Sequence, residues 1–467
     1  MTLEPAESAI ASLVNRRDVF RMAGLGAAAS VLPTAALAAA APTAAVAQER
    51  AAVTTGVQPR AAAELPLVGG TQFPIGIFWP PHPYETTVAR YTEIADAGFT
   101  FVVSGNYADD GNIIGQMLSV ADQTGLKVLV SDDTQVRNMT RWFTISDDRS
   151  VPMSITTADA RELFQRALDA YGPHKSLAGF NLFDEPWDGI FGSLGKAFDV
   201  ARTLAPQLLP YANLLPGNGP SYDTYVNNYI AATKPALLSF DRYPIVASGE
   251  DTGYFDNWAR FRLAGLAHNL PTWTYIQTLA YNGHRSPTAA DLLWQVNVSL
   301  AYGAKGIQYF TYWTPDPARG EGFGPALITL DGHRTERYTA AKKINTQWLQ
   351  PVGQQLKPLV SESVQHANES PLPTNAAGFV ADDYVSAVSG SAVILGRFSE
   401  SDSSRKHLLV ANRSVSDAAA TVVHTGSAVT GVQLFDPRHN RWLTYANPQQ
   451  LAVALQPGEA QLFRLLH

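Results

Sequence analysis

From about residue 71 to residue 362 the chain alternates between short apolar runs and amphipathic segments with apolar positions at helical spacing. Several of the amphipathic segments end in glycine, a common helix stop. This alternation is typical of βα units, which form a parallel sheet covered by helices. The predicted strands are 73–80, 99–106, 126–133, 177–186, 211–218, 237–244, 271–278 and 305–313.

Eight strands separated by helices are the number required for a (β/α)8 barrel. A doubly wound open sheet is the alternative, and it usually carries a glycine-rich phosphate loop after its first strand. Here the first strand runs into "WPPHPYE" (79–85), which has no such loop. We therefore predict an α/β fold with a (β/α)8 TIM barrel over residues 71–362.

Beyond residue 362 the pattern changes to short strands separated by turn residues, which predicts a small all-β sandwich over 363–467. We expect this domain to brace the barrel, with glycan binding as an alternative role. At the other end, Arg16 and Arg17 precede an Ala-rich apolar stretch and the small-residue site Ala45–Ala47.

Residues 1–47 resemble a twin-arginine export signal, and 48–70 are predicted to be a linker. The expected location is therefore secreted or cell-envelope, periplasmic in a Gram-negative cell. No later apolar run is long enough for a transmembrane helix in the mature chain.

The composition excludes several classes of partner and cofactor. The net charge is −7, and no basic run occurs outside the extreme N-terminus, so nucleic acids and anionic membranes are poor partners. The absence of cysteine excludes disulfides, thiolate catalysis and cysteine-bound metal. The ten histidines show no H-E-x-x-H spacing. We therefore expect no metal and no other cofactor.

Polar and aromatic residues close the predicted strands, where a barrel of this type has its active site. Acids, amides and aromatic rings together suit sugars, because hydroxyls need polar partners and the C–H faces of sugar rings stack on aromatic rings. A carbohydrate is thus the expected partner. The candidate site residues are Trp79, Asn106, Tyr107, Asp133, Asp184, Glu185, Trp187, Asp241, Tyr243, Gln277, Tyr312 and Trp313.

Glycosidic bond cleavage needs one carboxyl group as acid and a second as base or nucleophile. Strand alternation places Asn181, Phe183 and Glu185 on one face, with Asp184 on the other. We predict Glu185 as the general acid, and Asp184 as a structural cap or a neighbour that tunes it.

The predicted base or nucleophile is Asp241, which could instead form a salt bridge with Arg242 or a hydrogen bond that orders its loop. Asp133, Asp316 and Glu321 are reserve candidates. In the loops after the third and seventh strands, Trp142 and His284 are expected to shape substrate subsites.

The stretches "GFNLFDEPW" (179–187), "FDRYP" (240–244) and "GAKGIQYFTYW" (303–313) resemble clan-A (β/α)8 glycoside hydrolases. The ending "GEAQLFRL" (458–465) is similar to their C-terminal β-domains. The resemblance implies that Glu185, at the end of the fourth strand, is the acid/base. It also implies a nucleophilic Glu at the end of the seventh strand, but Gln277 stands there.

This departure leaves open whether the anomeric configuration is retained or inverted. Carboxyl groups about 5–5.5 Å apart would indicate retention, and about 6.5–9.5 Å inversion. The hypothesis is an exported glycoside hydrolase that acts on a poly- or oligosaccharide. The alternatives are a catalytically silent glycan-binding barrel, suggested by Gln277, and another barrel enzyme such as a lyase.

Overall fold

The computed structural model of the chain describes residues 64–400 and 405–467. The predicted export signal and positions 48–63 of the predicted linker lie outside these residues. Within them, no helix is both long and apolar enough to cross a membrane.

Eight parallel strands form the sheet, in which every strand except the fifth pairs with the next strand along the chain and the eighth pairs with the first. Leu214, just beyond the fifth strand, bridges Phe240 of the sixth, and its N–H donates to Ser239 O at 2.8 Å. The sheet is therefore closed, which confirms the predicted barrel. The strands are β1 (Ile75–Phe78), β2 (Phe101–Val103), β3 (Lys127–Val130), β4 (Leu177–Asp184), β5 (Leu209–Asn213), β6 (Leu238–Asp241), β7 (Thr272–Gln277) and β8 (Gly306–Phe310).

A helix follows each strand, and its apolar face packs on the outside of the barrel. Thr156 and Thr288 begin two of the helices with a capping box, each paired with an Asp three residues later. The helices are α1 (Val88–Asp96), α2 (Gly111–Thr124), α3 (Thr157–Tyr171), α4 (Phe191–Leu204), α5 (Gly219–Thr233), α6 (Tyr254–His268), α7 (Ala289–Ala301) and α8 (Glu336–Ile344). Helical turns Asn345–Leu349 and Gln350–Leu356 extend α8.

The fifth strand ends earlier than its predicted range of 211–218. It stops at Asn213, and Asn218 instead precedes α5, whose first turn holds Pro220. A proline in the first turn favours the start of a helix, because its missing N–H has no partner to lose there. Asn213 therefore takes the strand-end position expected for Asn218.

Strand β4 contains a β-bulge that reverses its alternation. Asn181 pairs with Tyr211, Phe183 with Ala212 and Asp184 with Asn213, so Leu182 is the extra residue. Leu182 and Phe183 both lie in the core between sheet and helices. The prediction that Asn181 and Phe183 lie on the same face was therefore wrong. Asp184, which was predicted on the opposite face, lies on the same face as Asn181.

The C-terminal strands form two antiparallel sheets, of six and three strands. Val393, Val410 and Phe463 of the larger sheet share a core with Val423 and Val453 of the smaller. This confirms the predicted β-sandwich. The strands are β9 (Val360–Ala367), β10 (Val385–Gly390), β11 (Val393–Ser399), β12 (Lys406–Asn412), β13 (Ala419–Thr425), β14 (Gly431–Asp436), β15 (Arg441–Thr444), β16 (Gln450–Leu455) and β17 (Ala460–Leu466).

The sandwich packs against α7 of the barrel. Trp294 Nε1 donates to Arg413 O at 3.0 Å, and Asn297 Nδ2 donates to Gly458 O at 2.8 Å. Glycine is required at Gly396, where a Cβ would lie 2.7 Å from Ala301 O. This close contact lets the sandwich brace the barrel at the helix that precedes β8.

Candidate functional site

Asn213 connects the acidic ends of β4 and β6. Its Nδ2 donates to Asp241 Oδ1 at 2.8 Å, and its backbone O accepts from Glu185 N at 2.8 Å. In the sheet register Asn213 lies directly opposite Asp184. Asn213 thus contacts the Asp241 carboxylate through its side chain and lies beside Asp184 and Glu185 through its backbone.

A polar network inside the barrel holds Asn213. Ser239 Oγ donates to Asn213 Oδ1 at 2.9 Å and lies 2.7 Å from the Tyr211 hydroxyl. Gln308 Nε2 donates to the same hydroxyl at 2.9 Å. All four side chains are almost fully buried. The strand-end prediction missed Asn213, although Tyr211, Asn213 and Ser239 are polar groups at alternate, inward positions.

Two tyrosines lie beside the acids. Burial raises the pKa of Tyr243 well above 10, and the charges of Asp241 and Glu185 add to the effect. The pKa of Tyr275 is likewise raised, first by burial and then by neighbours that include Asp184 and Asp241. Both phenols therefore stay protonated near neutral pH and keep a hydroxyl hydrogen to donate.

The backbone is strained at the ends of four consecutive strands. Trp79, Asn106, Tyr107, Asp132 and Glu185 have φ values between +53° and +70°. For residues other than glycine this left-handed conformation costs roughly 1–2 kcal/mol each, and it persists where the surroundings impose it. Such strain clusters at functional sites. Here it sets the direction in which the side chains leave the strands.

Trp79 and Tyr107 share a cationic neighbour. The Arg319 guanidinium carbon lies 4.0 Å from the Trp79 ring centre and 5.1 Å from that of Tyr107. Trp79 is buried, whereas Tyr107 and Trp187 are each about half exposed. Tyr243 stacks on Phe310 at 5.1 Å and has little exposed surface.

Tyr312 and Trp313 do not reach the mouth of the barrel. Tyr312 is fully buried and packs edge-on against Phe99 at 6.1 Å. Trp313 is also buried, with Arg90 over its ring at 5.2 Å. Both rings belong to the core beside the helices, because β8 ends at Phe310 and the chain turns outward after it.

Several polar candidates support loops. Asp133 is buried and caps the helical turn Thr134–Arg137, and it also accepts from Tyr171 OH at 2.7 Å. Gln277 is fully buried, and its Nε2 donates to Leu279 O and Arg285 O. Asn106, also buried, donates to Pro80 O at 2.8 Å.

Arg242, which was considered as a salt-bridge partner of Asp241, pairs with the carboxylate of Asp251. Arg242 forms two hydrogen bonds to Asp251, one of them at 3.0 Å, and also reaches Asn218 Oδ1 at 2.9 Å. It thereby ties together the loops after β5 and β6. Of the reserve acids, Asp316 caps a short helical turn through Ala318 N.

His284 lies at the mouth beside aromatic rings. It stacks on Tyr281 at 4.8 Å and faces the edge of Tyr243 at 6.1 Å. Burial lowers its pKa below 6.5, so the ring is neutral near pH 7. In the part of the chain that the structure describes, no group of three or more His, Asp or Glu residues could hold a metal ion.

No protein-family model and no curated protein matches the chain. Among solved structures, a glucosidase from Croceicoccus marinus is similar at 12% identity and a TM-score of 0.45, over 85% of this chain and 96% of that one. A β-galactosidase from Halorubrum lacusprofundi is similar at 13% identity and a TM-score of 0.44, over 59% and 58%. A β-glucuronidase from Ruminococcus gnavus is similar at 13% identity and a TM-score of 0.41, over 58% and 49%. The chain thus spans about half of the last two proteins and nearly all of the first.

Proposed function

We propose that this protein is a glycoside hydrolase that cleaves glycosidic bonds of a poly- or oligosaccharide. The observation that carries the proposal is the placement of three acidic residues, Asp184, Glu185 and Asp241, next to Asn213 at the carboxyl ends of adjacent barrel strands. Glycosidic cleavage needs two carboxyl groups in different protonation states, and this site supplies three.

The surroundings suit two of the acids to different roles. Asp241 accepts a hydrogen bond from an amide N–H, a contact that suits an ionised carboxylate, so we assign it as base or nucleophile. Glu185 follows the strand in a strained turn next to Asp184, and a nearby like charge favours retention of its proton. We assign Glu185 as the acid.

A catalytically silent glycan-binding barrel is the second candidate. Gln277 favours it, because a buried amide stands where the clan-A resemblance calls for a nucleophilic acid, and its N–H groups are used on backbone carbonyls. The two candidates share a carbohydrate ligand and differ only in turnover.

A glycan panel with product analysis separates them. We expect wild type to release reducing sugar from at least one glycan, and E185Q and D241N each to lower kcat by about 10³-fold or more, with folding intact by circular dichroism. D436N is the matched control, since Asp436 lies at the end of β14 in the sandwich, away from the barrel loops. Glycan binding without turnover by wild type would favour the silent barrel, and full activity of E185Q would refute its assignment.

We also propose that residues 1–47 export the protein by the twin-arginine route. The support is the Arg16–Arg17 pair with its following apolar stretch and small-residue site. Secretion of the full-length protein should be lost in an R16K/R17K variant, and unchanged secretion of that variant would refute the proposal.

A further inference from the structure

The loops after β1–β4 carry all of the strongly exposed Phe, Tyr and Trp side chains in residues 64–400 and 405–467. Tyr84 is 93% exposed, Tyr107 and Trp142 are each 51% exposed, and Trp187 is 55% exposed. Each follows a different strand, in the order β1, β2, β3 and β4. We name these four residues the aromatic rim.

The other half of the mouth is built differently. After β6, β7 and β8 the rings pack on one another: Tyr281 stacks on His284 at 4.8 Å and on Phe323 at 5.6 Å. Arg242 and Asp251 tie the loop after β6 to the loop after β5. No described Phe, Tyr or Trp of these four loops is half exposed or more. The mouth therefore has an open aromatic half and a closed half.

From this asymmetry we infer that the ligand is a polymeric glycan that lies across the aromatic rim. The inference rests on the proposed function for its ligand class and adds the length and path of the substrate. Large exposed aromatic rings mark binding surfaces, because their apolar faces gain free energy when they are covered.

The arrangement of the rim favours a sugar chain over an apolar partner. The rings are spread singly over four loops and are interspersed with exposed charges, among them Asp109, Asp110 and Arg141, so they form no continuous apolar patch. Sugars offer alternating C–H faces and hydroxyls, which match alternating rings and charges.

Spacing argues for a long ligand. Neighbouring strands lie about 4.8 Å apart, so the ends of β1 and β4 are separated by roughly 14 Å along the sheet, and their loops reach further. One or two sugar rings placed at Glu185 and Asp241 would leave most of the rim uncovered. A chain of several residues would cover it.

The test uses W142A, W187A and the double variant, with L443A as the control. Leu443 is 38% exposed and lies on β15 of the sandwich, away from the barrel loops. The substituted tryptophans are half exposed, so we expect folding to be unaffected. Rates are measured on oligosaccharides of increasing length prepared from the glycan that wild type cleaves. The double variant should lose about 10-fold or more in kcat/KM on the longest oligomers and less than about twofold on the shortest.

A second arm separates this inference from the proposed function. The same substitutions are made in E185Q, and retention by cellulose, β-1,3-glucan, xylan, mannan and chitin is measured by affinity electrophoresis or pull-down. Retention that depends on the rim supports the inference even if wild type cleaves nothing. Equal loss of rate at all lengths, no loss at any length, or rim-dependent self-association by sedimentation would overturn it while leaving glycosidase activity intact.

Discussion

Asn213 Nδ2 donates a hydrogen bond to Asp241 Oδ1 at 2.8 Å across the seam where β5 meets β6. The barrel closes one residue further on, where Leu214 bridges Phe240. The same Asn213 accepts from Glu185 N through its backbone oxygen. Asn213 thus links Asp241 to the backbone of Glu185, and the contacts that close the barrel lie directly beside those that hold the site.

Replacing Asn213 by Ala should therefore impair catalysis more than folding. The N213A variant loses the donor to Asp241 and leaves Ser239 without its acceptor, so we expect kcat to fall about 10- to 100-fold and the free energy of unfolding by about 1–3 kcal/mol. Steady-state kinetics and urea unfolding measure the two effects.

The matched control is N228A, because Asn228 also donates to a carboxylate, that of Asp188, but at the exposed surface. We expect its kcat and stability to match wild type. A kcat of N213A equal to that of wild type would show that Asp241 is not positioned by this bond.

The fold was predictable because its regular parts follow simple patterns. Strands buried on both faces are nearly continuous apolar runs, and the helices between them are amphipathic and end in glycine or begin with Thr caps. The sandwich was recognisable from its alternating short strands and turns.

The site was less predictable because it depends on local irregularities. The bulge at Leu182 moves Asp184 to the side of Asn213, and alternation alone cannot anticipate an inserted residue. Likewise all five residues of "YFTYW" (309–313) are typical of a strand, yet β8 ends at Phe310. Tyr312 and Trp313, which follow it, turn into the core. Asn213 escaped notice because the fifth strand stops before the polar residues that were expected to end it.

The sandwich should stabilise the loop next to Asp241 through Arg413. Its guanidinium donates to both oxygens of Glu250 at 2.8 and 2.9 Å and to Glu369 at 2.7 Å, and it lies over Phe255. Glu250 directly precedes Asp251, the partner of Arg242. We expect R413M to lose about 3–5 kcal/mol in urea unfolding, because the partly buried Glu250 loses Arg413 and Glu369 keeps only His366 as a partner.

The triple variant R413M/E250Q/E369Q removes the charges together and should recover most of that stability. The control R397M breaks ion pairs to Glu362 and Asp382 that lie within the sandwich and do not reach the barrel loop. Equal kcat in R413M and R397M would mean that the link to Glu250 does not order the loop beside Asp241.

The sandwich should also lose stability in acid through His407. Burial, followed by the charge of Arg464, lowers the pKa of His407 from 6.5 to about 4. The neutral ring accepts from Arg464 Nε at 3.2 Å. Because the unfolded chain binds the proton more readily, the contribution of neutral His407 to the free energy of unfolding is complete above pH 6.5. It is lost as the pH falls towards 4. It amounts to at most about 3 kcal/mol.

In H407Q the amide oxygen can still accept from Arg464 but does not titrate. Thermal unfolding between pH 4 and pH 7 should therefore show a smaller loss of stability in acid for H407Q than for wild type. H333Q is the control, since His333 is 78% exposed. An unchanged slope in H407Q would mean that protonation of His407 does not destabilise the sandwich.

Asp184 should act on catalysis through the charge it places beside Glu185. The bulge aligns Asp184 with Asn213, one residue before Glu185. Because a neighbouring negative charge helps an acid keep its proton, D184N should move the alkaline limb of the kcat/KM profile to lower pH by up to about one unit. The control is D188N, whose carboxylate is exposed after Trp187. A profile that falls uniformly in D184N, with both limbs in place, would assign Asp184 to substrate contact or structure and not to the tuning of Glu185.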